Sequence, residues 1–259
     1  MDKKLQKKVL DFIYDSYPLS KKDCIVLTGS RAYGFATEYS DIDMLIFTND
    51  KKYYEKLSIE KWFRKKWEDS WLEYRIDEKI LLEVKIKDYS NKGISFNPMY
   101  VYWVLGCKAL TNMWSFGKIK KPAQQWFAKN YEKILMREYI NFWNEYKQMD
   151  GMVKRKDKCS VVNFKIQKWM VILYLMRLIL IIQNKPYPTN KWIAHEIVKS
   201  KLGNDVMIIV DKIIWLKTYK QWNDLKLYLV DFCKNNIPNK NYVGAWWKFL
   251  NEFYKIKMY

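Results

Sequence analysis

Two short apolar runs bracket a loop that begins Gly-Ser and ends Asp-Ile-Asp, and this arrangement restricts the first third of the chain more than any other feature. The run CIVLT at 24–28 and the run DIDMLIF at 41–47 are too short for helices and predict two strands. Between them lies GSRAYGFATEYS, a loop with two glycines and several small side chains. Period 2 along a strand sets Asp41 and Asp43 on one face. Two carboxylates that close repel each other unless a cation lies between them. A hard divalent ion such as Mg²⁺ takes carboxylate and phosphate oxygens. Gly29 carries no side chain, so a phosphate can approach backbone N–H groups there. Ser30 offers a hydroxyl donor to a phosphate oxygen. A helix opening at Arg31 would add a favourable field for an anion. Arg31 itself reads equally as a phosphate contact or as a surface cap. Strand, phosphate loop and twin carboxylates together describe a nucleoside-triphosphate site with a metal.

Two-metal sites hold their ions about 3.5–4 Å apart and need more ligands than two aspartates supply. Glu83 interrupts the apolar stretch KILLEVKI at 79–86, which predicts a strand with Leu81, Glu83 and Lys85 on one face. An unpaired buried Glu is costly, so Glu83 is the candidate third acid. Asp77 and Asp88 sit near turns and read as solvated.

The remaining pattern divides the chain. Leu5, Val9, Phe12 and Ile13 share a helical face over 1–17, and Pro18 stops that helix. Residues 51–69 predict a charged, aromatic surface helix, and 72–76 with 80–87 predict a hairpin. Helices are expected over 124–149, 161–183, 190–200, 206–219, 222–235 and 240–255, separated at Gly151, Lys185–Pro188, Gly203 and Pro238. The N-terminus lacks the apolar core of a secretory signal. The longest apolar run, Trp169 to Ile182, contains Arg177 and is shorter than the ~20 residues of a membrane span. These features predict a cytoplasmic protein with no membrane segment.

Chemistry is narrowed further by what is scarce. The chain has one histidine, His195, so a multi-histidine metal centre is excluded. Cys24, Cys107, Cys159 and Cys233 lie far apart with no CxxC spacing and read as free thiols. Charge is uneven. Residues 1–100 carry 19 basic and 17 acidic groups, whereas residues 101–259 carry 28 and 11. A positive field of that size draws polyanions. Only 6 of the 47 basic residues are arginine, the residue suited to bidentate phosphate contacts, so part of the excess reads as solvated lysine rather than a built groove.

The segment VLTGSRAYGFATEYSDIDMLIF resembles the nucleotidyltransferase superfamily that includes DNA polymerase beta, in the manner of its minimal and antibiotic-type members. The match lies in Gly29, Ser30, Asp41 and Asp43, with Gly34 in the spacer, and the family's third acid falls on Glu83. The resemblance implies an α+β chain. A small mixed-sheet, palm-like nucleotidyltransferase domain over 1–105 would precede a helical bundle domain over 106–259. It also implies transfer of a nucleoside monophosphate from an NTP, ATP foremost, to a hydroxyl with release of pyrophosphate. Asp41, Asp43 and Glu83 would be the catalytic acids and the ligands of Mg²⁺ or Mn²⁺. Gly29 and Ser30 would contact the nucleotide, with Arg31 a candidate beside them, and Lys191 and Arg177 are candidate triphosphate contacts by charge alone. VLGCKALTNMWSFGKI and the helices after it look like the linker and helical lobe of small-substrate members. Some members use a helical-domain carboxylate as general base, for which Glu132, Glu138 and Glu145 are candidates.

Three acceptor readings follow. The helical lobe points to a small hydroxylated molecule. The basic second part favours RNA, such as a tRNA end in a toxin-like role, and disfavours a polycationic acceptor. A non-catalytic nucleotide-binding protein is disfavoured because both aspartates are intact. Nothing in the sequence fixes an oligomeric state.

Overall fold

A computed structural model describes residues 2–17, 19–48, 64–66, 69–75, 81–88, 96–154 and 161–237. The fold begins with α1 (Lys3–Ser16), capped by the Asp2 carboxylate, which accepts from the Leu5 N–H at 2.8 Å. Its inner face carries Val9 and Ile13, one turn apart and fully buried, with Leu5 and Phe12 packed alongside. This is the face the apolar spacing predicts.

The sheet contains β1 (Cys24–Thr28), β2 (Ile42–Thr48), β3 (Arg64–Lys66), β4 (Asp69–Arg75), β5 (Leu81–Asp88) and β6 (Lys108–Ala109). Their order across the sheet is β3-β4-β5-β2-β1-β6. Among the described residues only β2 and β5 pair in parallel, and the other pairings are antiparallel. All five residues of β1 are buried, as are Met44 to Thr48 of β2. Burial on both faces explains why these strands read as continuous apolar runs rather than as alternating ones. Helix α2 (Gly29–Tyr33) follows β1 directly. Helix α3 (Pro98–Gly106) starts at Asn97, whose side chain accepts from the Tyr100 N–H, with Pro98 in the first turn.

The remaining helices are α4 (Met113–Lys154), α5 (Val161–Ile182), α6 (Ile193–Val198), α7 (Gly203–Ile214) and α8 (Tyr219–Asn236). After α5, Asn184 adopts φ 56, and the chain turns back with the Lys185 N–H bonded to the Leu180 carbonyl. A reciprocal cap between Thr218 and Gln221 starts α8. The core around α8 centres on Trp222, which is fully buried and stacks on Tyr146 with centroids 3.9 Å apart. The Tyr146 hydroxyl donates to the Trp222 carbonyl at 3.0 Å. Tyr146→Phe keeps the stack and deletes this bond. A loss of about 1 kcal/mol is expected, read as a lower urea midpoint at unchanged m-value.

The chain divides into two compact units, residues 1–127 and 128–259. The division falls inside α4 rather than at 105/106. The reason is local: β6 hydrogen-bonds to β1 and so ties residues 108–109 to the sheet. Several other boundaries differ from the sequence reading. Helix α4 begins eleven residues before 124 and runs through Gly151. Within the span read as a surface helix, residues 64–66 are strand, paired with β4, and most of the rest lies outside the described residues. The helix expected at 240–255 lies outside them too. Among the described residues, no helix is long and apolar enough to cross a membrane. Cys24, Cys107 and Cys233 are buried free thiols, and burial pushes the Cys107 thiol up to about 11.

Candidate active site

At the end of β1 the chain turns through Gly29 at φ 63, in the left-handed region that favours glycine. A Cβ placed there would lie 1.8 Å from Oδ2 of Asp43. The Asp43 carboxylate therefore rests against the bare Cα of Gly29, and only a glycine leaves room for it. Ser30 follows, buried to 8% exposure. Its carbonyl accepts from the N–H groups of Gly34 and Phe35, which closes α2.

Tyr33 pins the far end of α2. Its hydroxyl donates to the Trp103 carbonyl at 2.8 Å, and its ring stacks on Tyr102 at 5.2 Å. Gly106 lies so near that a Cβ there would meet the Tyr33 ring at 1.7 Å. Burial raises the Tyr33 phenol well above its ordinary range, so it stays protonated as a donor. The Gly-Ser turn is thus held by β1 on one side and α3 on the other.

The sheet register gathers the acids. Asp43 is paired with Thr28 on β1 and with Glu83 on β5. Neighbouring strands lie about 4.8 Å apart, and residues paired in register project to the same face. Asp43 and Glu83 are therefore side by side, both half-buried, while Ile42, Met44, Leu82 and Val84 face the core. Glu73 of β4 occupies the register position next to Glu83. Its place in this row was not foreseen from the sequence, because strand pairing rather than spacing along the chain puts it there.

Asp41 stands one residue before β2 and is exposed. Its carbonyl accepts from Arg31 Nε at 3.2 Å. Arg31 also binds the Ser40 carbonyl, through Nε at 3.0 Å and Nη2 at 2.6 Å. Among the described residues, no group of three or more His, Cys, Asp and Glu side chains is arranged to hold a metal ion, so Asp41 does not complete a three-acid cluster with the other two. The pair formed by Asp43 and Glu83, with Asp43 cradled on Gly29, has the hard-oxygen chemistry that Mg²⁺ or Mn²⁺ takes.

The second unit holds the remaining candidates. Lys191 is exposed ahead of α6, with Nζ 4.9 Å from the centre of the Trp192 ring. Arg177 donates to Asn190 Oδ1 at 2.8 Å and lies over the rings of Tyr174 and Tyr187. Of the helical glutamates, Glu132 is exposed and Glu145 accepts from Gln167 Nε2 at 2.8 Å. Glu138 is 1% exposed and accepts from Arg137 and from the Tyr187 hydroxyl. His195 is exposed on α6, edge-on to Trp192.

Residues 7–97 match the family model described as a nucleotidyltransferase domain. The match contains β1, the Gly-Ser turn, β2 and β5. No curated protein matches the chain. A solved structure of a nucleotidyltransferase-like protein from Exiguobacterium sibiricum is similar at 12% identity and TM-score 0.48, over 98% of this chain and 81% of that one.

Proposed function

We propose that the chain transfers a nucleoside monophosphate from an NTP, ATP foremost, to a hydroxyl of a small molecule and releases pyrophosphate. The observation that carries this reading is the in-register placement of Asp43 beside Glu83, with the Asp43 carboxylate seated on Gly29, inside a nucleotidyltransferase domain. Asp43 and Glu83, paired in register, would hold Mg²⁺ or Mn²⁺. Bound there, the ions neutralise charge on the triphosphate and lower the pKa of the acceptor hydroxyl. The Gly29 turn lets phosphate oxygens reach backbone N–H groups, and the Ser30 hydroxyl donates to one of them. The acceptor oxygen attacks the α-phosphorus in line as the bond to the bridging oxygen breaks, and pyrophosphate carries away the negative charge. Positioning supplies most of the rate in such a transfer.

RNA is the second reading, favoured by the net charge of +17 over residues 101–259. One experiment separates the two. The protein is incubated with α-labelled NTPs and Mg²⁺ or Mn²⁺, in parallel with total tRNA and with a panel of neutral and anionic hydroxylated molecules. Label is expected in a small molecule and absent with the Asp41→Ala/Asp43→Ala double variant. Label entering tRNA instead, lost in the same variant, establishes the RNA reading. NTP binding with no transfer to either class, or to protein hydroxyls, would reduce the chain to a nucleotide-binding protein.

A further inference from the structure

We propose that Tyr33 is a positioning residue for the Gly29–Ser30 turn, holding α2 in the conformation in which that turn receives a phosphate. This inference rests on the reading of the turn as the phosphate site. Helix α2 has five residues and stands between two left-handed glycines, Gly29 at φ 63 and Gly34 at φ 79. A single helical turn does not hold itself in water, because its few internal hydrogen bonds do not offset the cost of nucleation. Its shape therefore depends on what its side chains grip. The bonds of Arg31 run to the loop just after α2, at Ser40 and Asp41. Tyr33 instead reaches across 70 residues of chain to the Trp103 carbonyl, at 2.8 Å. That carbonyl is among the last four of α3, the end at which a helix is short of donors, and it also accepts from the Cys107 N–H at 3.2 Å. The Tyr33 hydroxyl thus adds to the C-terminal cap of α3 while it anchors α2. The seat is shaped for the ring. Tyr33 lies against the bare Cα of Gly106, where a Cβ would come within 1.7 Å, and stacks on Tyr102 with centroids 5.2 Å apart. Gly106 ends α3 without a positive φ, so the absent side chain there serves the Tyr33 ring and not the backbone. Ser30 stands three residues before Tyr33 in α2. A swing of α2 about its two glycines would carry the Ser30 hydroxyl and the N–H groups of the turn with it.

Two substitutions break the anchor in different ways. Tyr33→Phe deletes the hydroxyl and keeps the ring. Gly106→Ala pushes the ring off its seat, and alanine is the better helix former, so α3 itself is not weakened. Affinity for a non-hydrolysable ATP analogue with Mg²⁺ is measured by isothermal calorimetry on the full chain, for wild type, each variant and the double variant. Exchange of the Gly34 and Phe35 amides, both bonded to the Ser30 carbonyl, is followed by NMR beside the amides of β1 and β2. Tyr33→Phe is expected to weaken analogue binding about fivefold, and Gly106→Ala by at least as much. The double variant should lose no more than about twofold beyond Gly106→Ala, because both changes act through one contact. Exchange at Gly34 and Phe35 should quicken while β1 and β2 keep wild-type protection. If Gly106→Ala does not fold, Tyr33→Phe alone carries the test. Analogue affinity within about twofold of wild type in the folded variants would overturn the proposal. So would equal quickening across α2, β1 and β2 with a lower Tm, since Tyr33 would then support the whole sheet and not the turn. A wild-type chain that does not bind the analogue would remove the phosphate reading of the turn, and the role of Tyr33 with it.

Discussion

Asp43→Asn should lower the rate of nucleotidyl transfer about 1,000-fold while leaving the fold as stable as wild type or more so. The shape of the side chain is kept, so the seat on Gly29 stays filled. The charge is lost, and with it the oxygen pair that a divalent ion takes most strongly. Removing one preorganised charge-stabilising group from such a site costs about 10²–10³ in rate. Stability moves the other way because Asp43 stands next to Glu83 in the sheet. Like charges paired in register on neighbouring strands repel, and an amide at one of them removes that repulsion. Initial rates of label transfer and thermal melting, measured on the same preparation, test both parts. A rate within tenfold of wild type would remove Asp43 from the catalytic centre. A large drop in Tm would make it a structural residue instead.

Gly29→Ala should cost far more transfer activity than Gly34→Ala, the other left-handed glycine of the turn. The new Cβ would meet Oδ2 of Asp43 at 1.8 Å, so the carboxylate has to leave its position. A displacement of about 1 Å in a reacting group is enough for a 10²-fold loss of rate. The left-handed backbone at φ 63 adds about 1–2 kcal/mol of strain for any residue with a Cβ. Gly34 provides the control. It too is left-handed, at φ 79, but a Cβ there would have nothing within 4 Å. Gly34→Ala should thus show a similar loss of stability with transfer largely retained. Equal losses of activity in the two variants would mean that backbone strain, and not crowding of Asp43, is responsible.

Much of the site was legible because its residues are close in sequence. Gly29, Ser30 and Asp43 lie within fifteen positions, and the apolar runs on either side had to be strands. Asp41 and Asp43 were expected as equals on one strand face. In the fold Asp43 is inside the ladder and half-buried, while Asp41 precedes it and is exposed. Period 2 holds only where ladder hydrogen bonds enforce it, and β2 starts after Asp41. Helix α3 was overlooked because its aromatic and β-branched residues carry no helical stripe, although Asn97-Pro98 is a start signal. The early start of α4 was hidden by Pro122, which lies inside it.

Local chemistry in the sequence determined the Gly-Ser turn, the twin aspartates, the apolar strands and the helical second part. Each depends on residues a few positions apart, where backbone sterics and side-chain periodicity act without distant partners. Only the tertiary structure decided which acid stands beside Asp43, how Arg31 spends its donors, and why residue 29 must be glycine. Those answers depend on pairing β2 with β5 and on folding the 34–40 loop back onto α2. Such contacts join segments from nine residues apart, as Arg31 and Ser40, to forty, as Asp43 and Glu83, and nothing in the local pattern of the chain encodes them.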